Sequence, residues 1–282
     1  MTDLVVRRLL IDLQPPIPRT WCGGDAFATA FFNALSMSFP FGEQFFIDAL
    51  RGVLATLPPD AHARWQPEVK GFIGQEATHR RIHSLFNAHL ERQGLVDGWT
   101  PRAAKRATRL DGLDPRHALA VTAANEHFTA MFAEWLLAHP EVLDGAEPRL
   151  KTMWLWHAAE ESEHKTTAFD LYRAAGGSEN ARKRWFAVTT SMFLRDLLRQ
   201  TVANLNKEKQ LWKRSTWASA ARLLLGRKGL FGANLKAWRR YFSSDFHPSE
   251  HESGLAHAWL QANRDTYVPV GARWPASMVR TA

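Results

Sequence analysis

Apolar residues recur at helical spacing along most of this chain, and that pattern limits the possible folds more than any other feature. Alternating β-branched runs that would predict strands are almost absent. Proline, glycine and capping residues divide the pattern into segments. Four long helices are predicted over about 25–55, 60–92, 114–139 and 148–175. The predicted fold class is therefore all-α.

The lengths of the connections predict how these helices are arranged. The connection over 94–112 is long and basic, whereas the other two are short. A ferritin-like four-helix bundle with one crossover requires a short, a long and a short connection, in that order. Further helical stretches are predicted near 180–206, 215–225, 234–242 and 251–263. We expect these C-terminal helices, about 180–264, to pack on a bundle core of about 25–176 within a single domain, 1–282.

Composition excludes several classes of protein. With 45% hydrophobic and 23% charged residues, the bulk of the chain is not disordered. A single cysteine, Cys22, excludes a disulfide scaffold and is typical of a reducing compartment. No apolar run approaches the ~20 residues that a membrane-spanning helix needs, and the N-terminal apolar stretch is too short for a signal peptide. We therefore expect a cytoplasmic protein.

Positive charge is concentrated in one segment of the chain. Residues 195–240 contain twelve Lys and Arg against Asp196 and Glu208, so this segment carries the excess behind the net charge of +8. Aromatic residues are interleaved with these charges: Trp212, Trp217, Phe231 and Trp238. One interpretation is a peripheral contact with an anionic membrane. The other is that the basic side chains solvate the outer faces of helices whose aromatic residues point inward. A nucleic acid partner is not expected.

Glu-x-x-His occurs at two places in this chain, Glu76–His79 and Glu161–His164. Each lies in the middle of the second helix of a predicted helical hairpin. The first helix of each hairpin carries a mid-helix glutamate of its own, Glu43 or Glu126. The two halves of the chain therefore repeat one arrangement of ionisable residues.

The offsets of these residues from the hairpin turns predict a single layer. Glu43 and Glu76 lie 14 and 15 residues from the turn of their hairpin, and Glu126 and Glu161 each lie 13 residues from theirs. At ~1.5 Å per residue, these offsets bring four carboxylates and two imidazoles to about one level. The stripes that carry them are otherwise apolar, and buried carboxylates need a compensating cation. Mixed carboxylate and imidazole ligation suits iron or manganese.

This pattern resembles the ferritin-like di-iron carboxylate proteins. From Ile17 to Pro248, the chain also resembles the bacterial family labelled "predicted metal-dependent hydrolase". The stretches that carry the resemblance are Pro40–Glu43, Gln75–His79, Asn125–His127 and Trp156–His164. Because His157 lies one turn before Glu161, the ligand pattern is similar to that of the arylamine N-oxygenases, which are di-iron enzymes with a third histidine ligand.

The resemblance implies a centre of two metal ions whose ligands are the only catalytic groups. One ion would be held by Glu43, Glu76 and His79. The other would be held by Glu126, His157, Glu161 and His164. Glu76 and Glu161 are the candidates for bridging ligands, and His157 is alternatively a donor that holds a ligand carboxylate from outside. Iron is the expected metal, with Mn/Fe or zinc as alternatives and O2 as co-substrate.

Other polar residues near the motifs are expected to lie outside the ligand set. His83 is expected to cap the site or to hydrogen-bond outward. Glu160 and Glu163 are expected to face solvent or pair with basic residues, and His127 to lie at the surface or between helices. A looser group is expected to form a helix cap and surface: His247, Glu250, His251 and His257.

The predicted function is that of a dinuclear non-haem iron oxidase or oxygenase, which uses O2 and an electron donor to oxidise a small hydrophobic substrate. A two-metal hydrolase that uses metal-bound hydroxide is the alternative, and a ferroxidase or iron-binding protein is a third possibility. Small residues on the third helix predict either a substrate cavity or close helix packing: Thr122, Ala123, Thr129, Ala130 and Ala133. A monomer or homodimer is expected.

Overall fold

The computed structural model describes residues 4–250 and 254–271. Within these ranges the chain is predominantly helical. The α-helices are α1 (Ala26–Leu54), α2 (Pro59–Arg92), α3 (Trp99–Ala107), α4 (Arg116–Ala138), α5 (Pro148–His164), α6 (Thr167–Ala174), α7 (Glu179–Lys207), α8 (Arg214–Leu225), α9 (Leu230–Arg240) and α10 (Leu255–Ala262). The all-α prediction is confirmed. Among the described residues, no helix is both long enough and apolar enough to cross a membrane.

Local signals explain the ends of the first two helices. The Asp25 side chain accepts a hydrogen bond from the Ala28 amide at 3.0 Å and so caps the N-terminus of α1. The α2 helix starts at Pro59, where a missing amide hydrogen has no consequence. Both helices continue through an internal proline, Pro40 in α1 and Pro67 in α2.

The long connection between the second and third predicted helices contains a helix of its own. The α3 helix lies within 94–112, a range that the sequence marks only as long and basic. Its Trp99 is buried and packs edge-on against Phe193 of α7, with ring centroids 5.4 Å apart. This short amphipathic helix is thus held on α7 by its buried Trp99, together with Arg102 and Arg106, which both pair with Asp196.

The fourth predicted helix is divided in two. The α5 helix ends at His164 and α6 begins at Thr167, whereas the sequence predicts one helix over 148–175. Thr166 and Thr167 follow the end of α5, and consecutive β-branched residues lower helix propensity. The break therefore falls directly after the second Glu-x-x-His motif.

The helices beyond α6 lie close to their predicted positions. The α9 helix begins at Leu230, earlier than expected, and α10 begins at Leu255, while 251–253 of its prediction lie outside the described residues. The α7 helix contacts α1 and α4, α9 contacts α4 and α8, and α10 contacts α5. The structure also contains a short antiparallel pair that the sequence analysis missed, β1 (Arg7–Leu9) with β2 (Tyr267–Pro269).

Four helices surround a polar layer between two apolar clusters. The α1 helix packs on α2, α4 packs on α5, α1 also contacts α4, and α2 contacts α5. One cluster contains a buried residue from each of these helices: Phe32, Phe86, Leu136 and Trp154. The other cluster contains Leu50, Phe72, Leu119 and, from α6, Leu171. Along each of these helices, the predicted metal-binding residues lie between the residues of the two clusters. Apolar side chains therefore cover both ends of the polar layer.

Candidate metal centre

The seven side chains predicted to bind metal lie in two adjoining buried groups. The first group contains Glu43, His79 and His157. The second contains Glu76, Glu126, Glu161 and His164. Within each group, one potential ligand atom per residue lies within 4.8 Å of the others. The structure therefore brings all seven together.

The division into groups differs from the assignment that the resemblance implied, which placed Glu76 with the first ion and His157 with the second. The reason is the order of residues along α2 and α5. His79 and His157 both lie toward the Trp154 end of the layer, where their rings stack with centroids 4.2 Å apart. Glu76 lies toward the Phe72 end, beside His164. Helical rise, rather than the pairing of helices in hairpins, decides which side chains meet.

Glu161 of α5 lies between the two groups. Its Oε1 atom is 2.9 Å from His157 Nε2 and 3.2 Å from His79 Nδ1. Its Oε2 atom is 3.5 Å from His164 Nε2, which is also 3.2 Å from a Glu76 oxygen. One carboxylate thus presents one oxygen to each group.

Many of the inward-facing polar atoms lack a hydrogen-bond partner among the described residues. They are both carboxylate oxygens of Glu43, Glu76 and Glu126, together with His79 Nδ1, Glu161 Oε2 and His164 Nε2. Leaving a buried polar atom unsatisfied costs about 1–3 kcal/mol, and more for a charged group. Cations between these atoms would satisfy all of them at once, so the residues present fit a metal centre.

The protonation states of the centre reflect its burial and its excess of carboxylates. Burial raises the pKa of Glu43 and of Glu126 well above the usual value, and neighbouring carboxylates raise both further. Burial alone would lower the pKa of His79, but the neighbouring carboxylates of Glu160 and Glu161 raise it to about 10. Without a metal, protons therefore supply the positive charge that this layer requires.

His157 is held from behind by a chain of buried hydrogen bonds. Its Nδ1 atom lies 2.7 Å from His83 Nε2, and His83 Nδ1 lies 2.9 Å from Ser36 Oγ. The Ser36 hydroxyl donates to Asn87 Oδ1 at 2.7 Å, and the Asn87 amide donates to the Ser36 carbonyl oxygen. Because the Ser36 hydroxyl donates to Asn87, it accepts from His83 Nδ1. The Nε2 atom of His83 then accepts from His157 Nδ1, which carries the proton.

This assignment leaves two acceptors facing each other inside the centre. Burial lowers the pKa of His157 to about 4, so at neutral pH its ring carries one proton, the one on Nδ1. The bare Nε2 atom then points at the Glu161 carboxylate from 2.9 Å. A lone pair and a carboxylate at this distance repel unless a cation lies between or beside them.

Glu160 is placed differently from its prediction. It pairs with a basic residue as expected, but it does not face solvent, because its exposed fraction is 0%. One Glu160 oxygen accepts from Arg7 of β1 at 3.1 Å, and the other lies 3.0 Å from His79 Nε2. The Glu160 carboxylate thus orients the His79 ring, with Nδ1 directed at the centre. Glu163 is partly exposed and binds the same arginine at 2.6 Å.

Gln75 positions the second histidine in the same way. Its Oε1 atom accepts from His164 Nδ1 at 2.9 Å, which leaves His164 Nε2 directed at Glu76 and Glu126. The Gln75 amide donates to Glu163 and to the Val5 carbonyl oxygen. No role was predicted for Gln75. Its position beside Glu76 in the first Glu-x-x-His motif was the available signal.

The other neighbouring residues lie away from the centre. His83 bonds outward as expected, although to buried Ser36 rather than to solvent. His127 lies between helices, buried, with Nε2 3.2 Å from the Ala237 carbonyl oxygen. In the C-terminal group, His247 binds Asp170 and Glu250 binds Arg240. His257 lies beside Gln261, and His251 lies outside the described residues.

An apolar cavity of about 380 Å³ reaches the first group of the centre. Its inner wall includes His157 and Glu161. The rest of the wall is mainly aromatic and includes Phe39, Phe132, Trp154, Phe193 and Trp238. Of the small residues predicted to leave room, Thr129 and Ala133 line the cavity, whereas Thr122, Ala123 and Ala130 are buried in helix packing. Some of these small residues therefore leave room for the cavity, and the others allow close helix packing.

Comparison with known proteins places the chain in a family. The model of the family described as "Predicted metal-dependent hydrolase" matches residues 5–252, a range that includes all seven inward-facing ligand candidates. No curated protein and no solved structure matches the chain. The match covers most of the sequence and confirms the resemblance to that family, whereas the similarity to ferritin-like di-iron proteins and arylamine N-oxygenases stays a prediction. The chain belongs to the predicted metal-dependent hydrolase family.

Proposed function

We propose that this chain is a metal-dependent enzyme whose centre holds two ions in a ferritin-like bundle of α1, α2, α4 and α5. The observation that carries the proposal is the set of buried oxygen and nitrogen atoms without hydrogen-bond partners among the described residues. The bare Nε2 of His157 facing Glu161 supports it independently. Metal ions beside these atoms would stabilise both arrangements.

The grouping of side chains supports one division of the ligands between the two ions. Glu43, His79 and His157 would hold one ion. Glu76, Glu126, Glu161 and His164 would hold the other. Glu161 is the bridging candidate, because its two oxygens face different groups. The absence of sulfur from these two groups favours iron or manganese, with zinc as the alternative.

The geometry best supports O2-dependent oxidation of a small hydrophobic molecule, with reducing equivalents from an electron donor. Bound at this centre, iron would supply the redox chemistry that O2 reduction requires, whereas zinc would supply Lewis acidity for hydrolysis. The wall of aromatic side chains beside His157 and Glu161 would bind an apolar substrate and exclude water. Glu160, Gln75 and His83 would keep the imidazole rings in the orientation that a metal requires.

Hydrolysis is the second candidate, and the family's description favours it. The same ligand set would serve, and the apolar cavity would bind the hydrophobic part of an ester or amide. The two candidates differ in the metal that supports turnover and in the need for O2. They are therefore separable by measurement on one preparation.

The test uses the purified full chain, its Glu126→Ala variant and a Glu91→Ala control, in which an exposed glutamate of α2 is removed. Metal content is measured by mass spectrometry after loading with iron or zinc. We expect about two ions per chain in the parent and the control, and fewer in Glu126→Ala. Equal metal content in all three proteins, or none, would refute the centre.

The reaction is then decided with the loaded proteins. O2 uptake by the ferrous protein that increases with a hydrophobic organic substrate would support oxidation. Zinc-dependent cleavage of esters without any reaction with O2 would support hydrolysis instead. Iron uptake with O2 consumption that no organic substrate changes would indicate a ferroxidase.

A further inference from the structure

The apolar cavity opens at the surface between α7 and α9. Leu194 of α7 and Phe231 and Leu235 of α9 line it. The same three side chains are exposed to solvent, by 41%, 44% and 44% respectively. Residues that both line a cavity and face solvent form its entrance. The entrance to this cavity is therefore apolar.

The apolar surface continues beyond the entrance along α7. Leu198 lies one turn after Leu194 and is 61% exposed. We call these four residues, Leu194, Leu198, Phe231 and Leu235, the mouth patch. Exposed leucines scattered singly are common on protein surfaces, whereas apolar residues grouped at the entrance of a cavity mark an interaction surface.

Exposed basic residues adjoin the mouth patch on both helices. They are Arg195 and Arg199 on α7, and Lys236 and Arg239 on α9, and we call them the basic flank. Arg195, Arg199 and Lys236 each directly follow a leucine of the mouth patch, which places them ~100° further round the helix. Each helix thus presents an apolar stripe with positive charge along its side.

We infer that the mouth patch docks on the surface of an anionic lipid membrane and that the cavity receives an apolar lipid chain from it. Apolar side chains enter the boundary between headgroups and acyl chains, while flanking Lys and Arg meet the lipid phosphates. A nucleic acid would match the basic flank but not the three leucines of the mouth patch. The identification of a lipid chain as substrate rests on the proposed function, whereas the docking does not.

The test is cosedimentation of the full chain, with and without metal, with vesicles of phosphatidylcholine alone or mixed with phosphatidylglycerol. We expect binding to the mixed vesicles only, weakened by salt. Phe231→Ser with Leu235→Ser should reduce this binding about tenfold or more. The matched control is Leu85→Ser with Leu113→Ser, which removes two leucines that are 45% and 50% exposed and do not line the cavity.

A second pair of variants tests the charges without changing any apolar residue. Lys236→Glu with Arg239→Glu should abolish binding to the mixed vesicles. Arg64→Glu with Lys70→Glu, which reverses two exposed basic residues of α2, should leave it unchanged. Phosphatidylglycerol with brominated acyl chains should quench the tryptophan fluorescence of the parent more than that of Trp154→Phe with Trp238→Phe, two cavity residues.

Several results would overturn the inference. They are absence of vesicle binding, equal loss in the control pairs, and quenching that is the same with and without the cavity tryptophans. Binding of an oligonucleotide or formation of a dimer through the basic flank, without vesicle binding, would assign the surface to another partner. Metal content is measured on the same variants, so that a failed docking and a failed metal centre give different results.

Discussion

At the scale of single residues, the centre depends on side chains that do not face the metals. Glu160, Gln75 and His83 each bind the outer nitrogen of one inward-facing histidine. A histidine ring with one nitrogen held in this way has a defined tautomer and a fixed orientation. The three contacts also differ in charge, because only Glu160 is a carboxylate. Burial alone would lower the pKa of all three proposed histidine ligands, but neighbouring carboxylates raise the pKa of His79 and His164, whereas that of His157 stays lowered.

The first prediction concerns Glu160. Glu160→Gln keeps the shape of the side chain but removes the negative charge beside His79 Nε2, so the affinity for metal should fall about 10- to 100-fold. Competition with a chelator measures the change. Glu163→Gln is the control, because Glu163 also binds Arg7 but does not contact His79. Equal losses in the two variants would mean that the contacts of Glu163 with Arg7 and Gln75, and not the contact of Glu160 with His79, set the affinity for metal.

At the scale of helices and strands, the site is tied to the two-stranded pair at the ends of the described chain. Arg7 of β1 reaches Glu160 and Glu163 of α5, while the Val5 carbonyl oxygen accepts from Gln75 of α2. Arg8 of β1 pairs in register with Val268 of β2. A short sheet thus closes over the outer side of two ligand-bearing helices. This sheet covers the two helices and also places the positive charge of Arg7 beside the carboxylates of α5.

The second prediction concerns this ion pair. Arg7→Ala leaves the buried Glu160 carboxylate without its guanidinium partner, and breaking such a pair typically costs 3–5 kcal/mol in the free energy of unfolding. Urea denaturation of the metal-free protein measures it. Arg7→Ala combined with Glu160→Gln should recover part of the loss, since the buried Glu160 charge is then removed as well. An Arg7→Ala variant as stable as an Arg64→Ala control would contradict this account.

The elements that the sequence predicts well are those defined by local spacing. These signals act within a few residues. Residues such as Asp25 and Pro59 mark the ends of helices, and the spacing of the Glu-x-x-His motifs predicts which side chains face inward. The pairing of Arg7 with Glu160 joins residues 153 positions apart, and no local pattern indicates it. The same holds for the stacking of His79 on His157, which decides the grouping of ligands. Contacts between distant segments were therefore missed, as were two local features, the α3 helix and the break between α5 and α6.

At the scale of the whole molecule, the polar layer divides the core into two apolar clusters. The metal-free layer contains carboxylates whose pKa is raised by burial, as at Glu43 and Glu126, and a His79 whose pKa is about 10. Each of these groups holds its proton more tightly in the folded chain than in the unfolded chain. Their contribution to stability is therefore complete at low pH and is lost as the pH rises through the folded pKa values.

The third prediction is that bound metal reverses this dependence of stability on pH. An ion must displace the proton from His79 Nδ1 and from the carboxyl groups, so each displaced proton makes binding stronger by about 1.4 kcal/mol per pH unit. The gain in melting temperature on loading with metal should consequently grow from pH 6 to pH 8, while the metal-free protein becomes less stable. Thermal unfolding with metal and with a chelator, at three pH values, measures both trends. A gain that stays constant or shrinks as the pH rises would mean that the ion binds without displacing these protons. Such an ion would lie outside the layer, and the core would be divided for some reason other than metal binding.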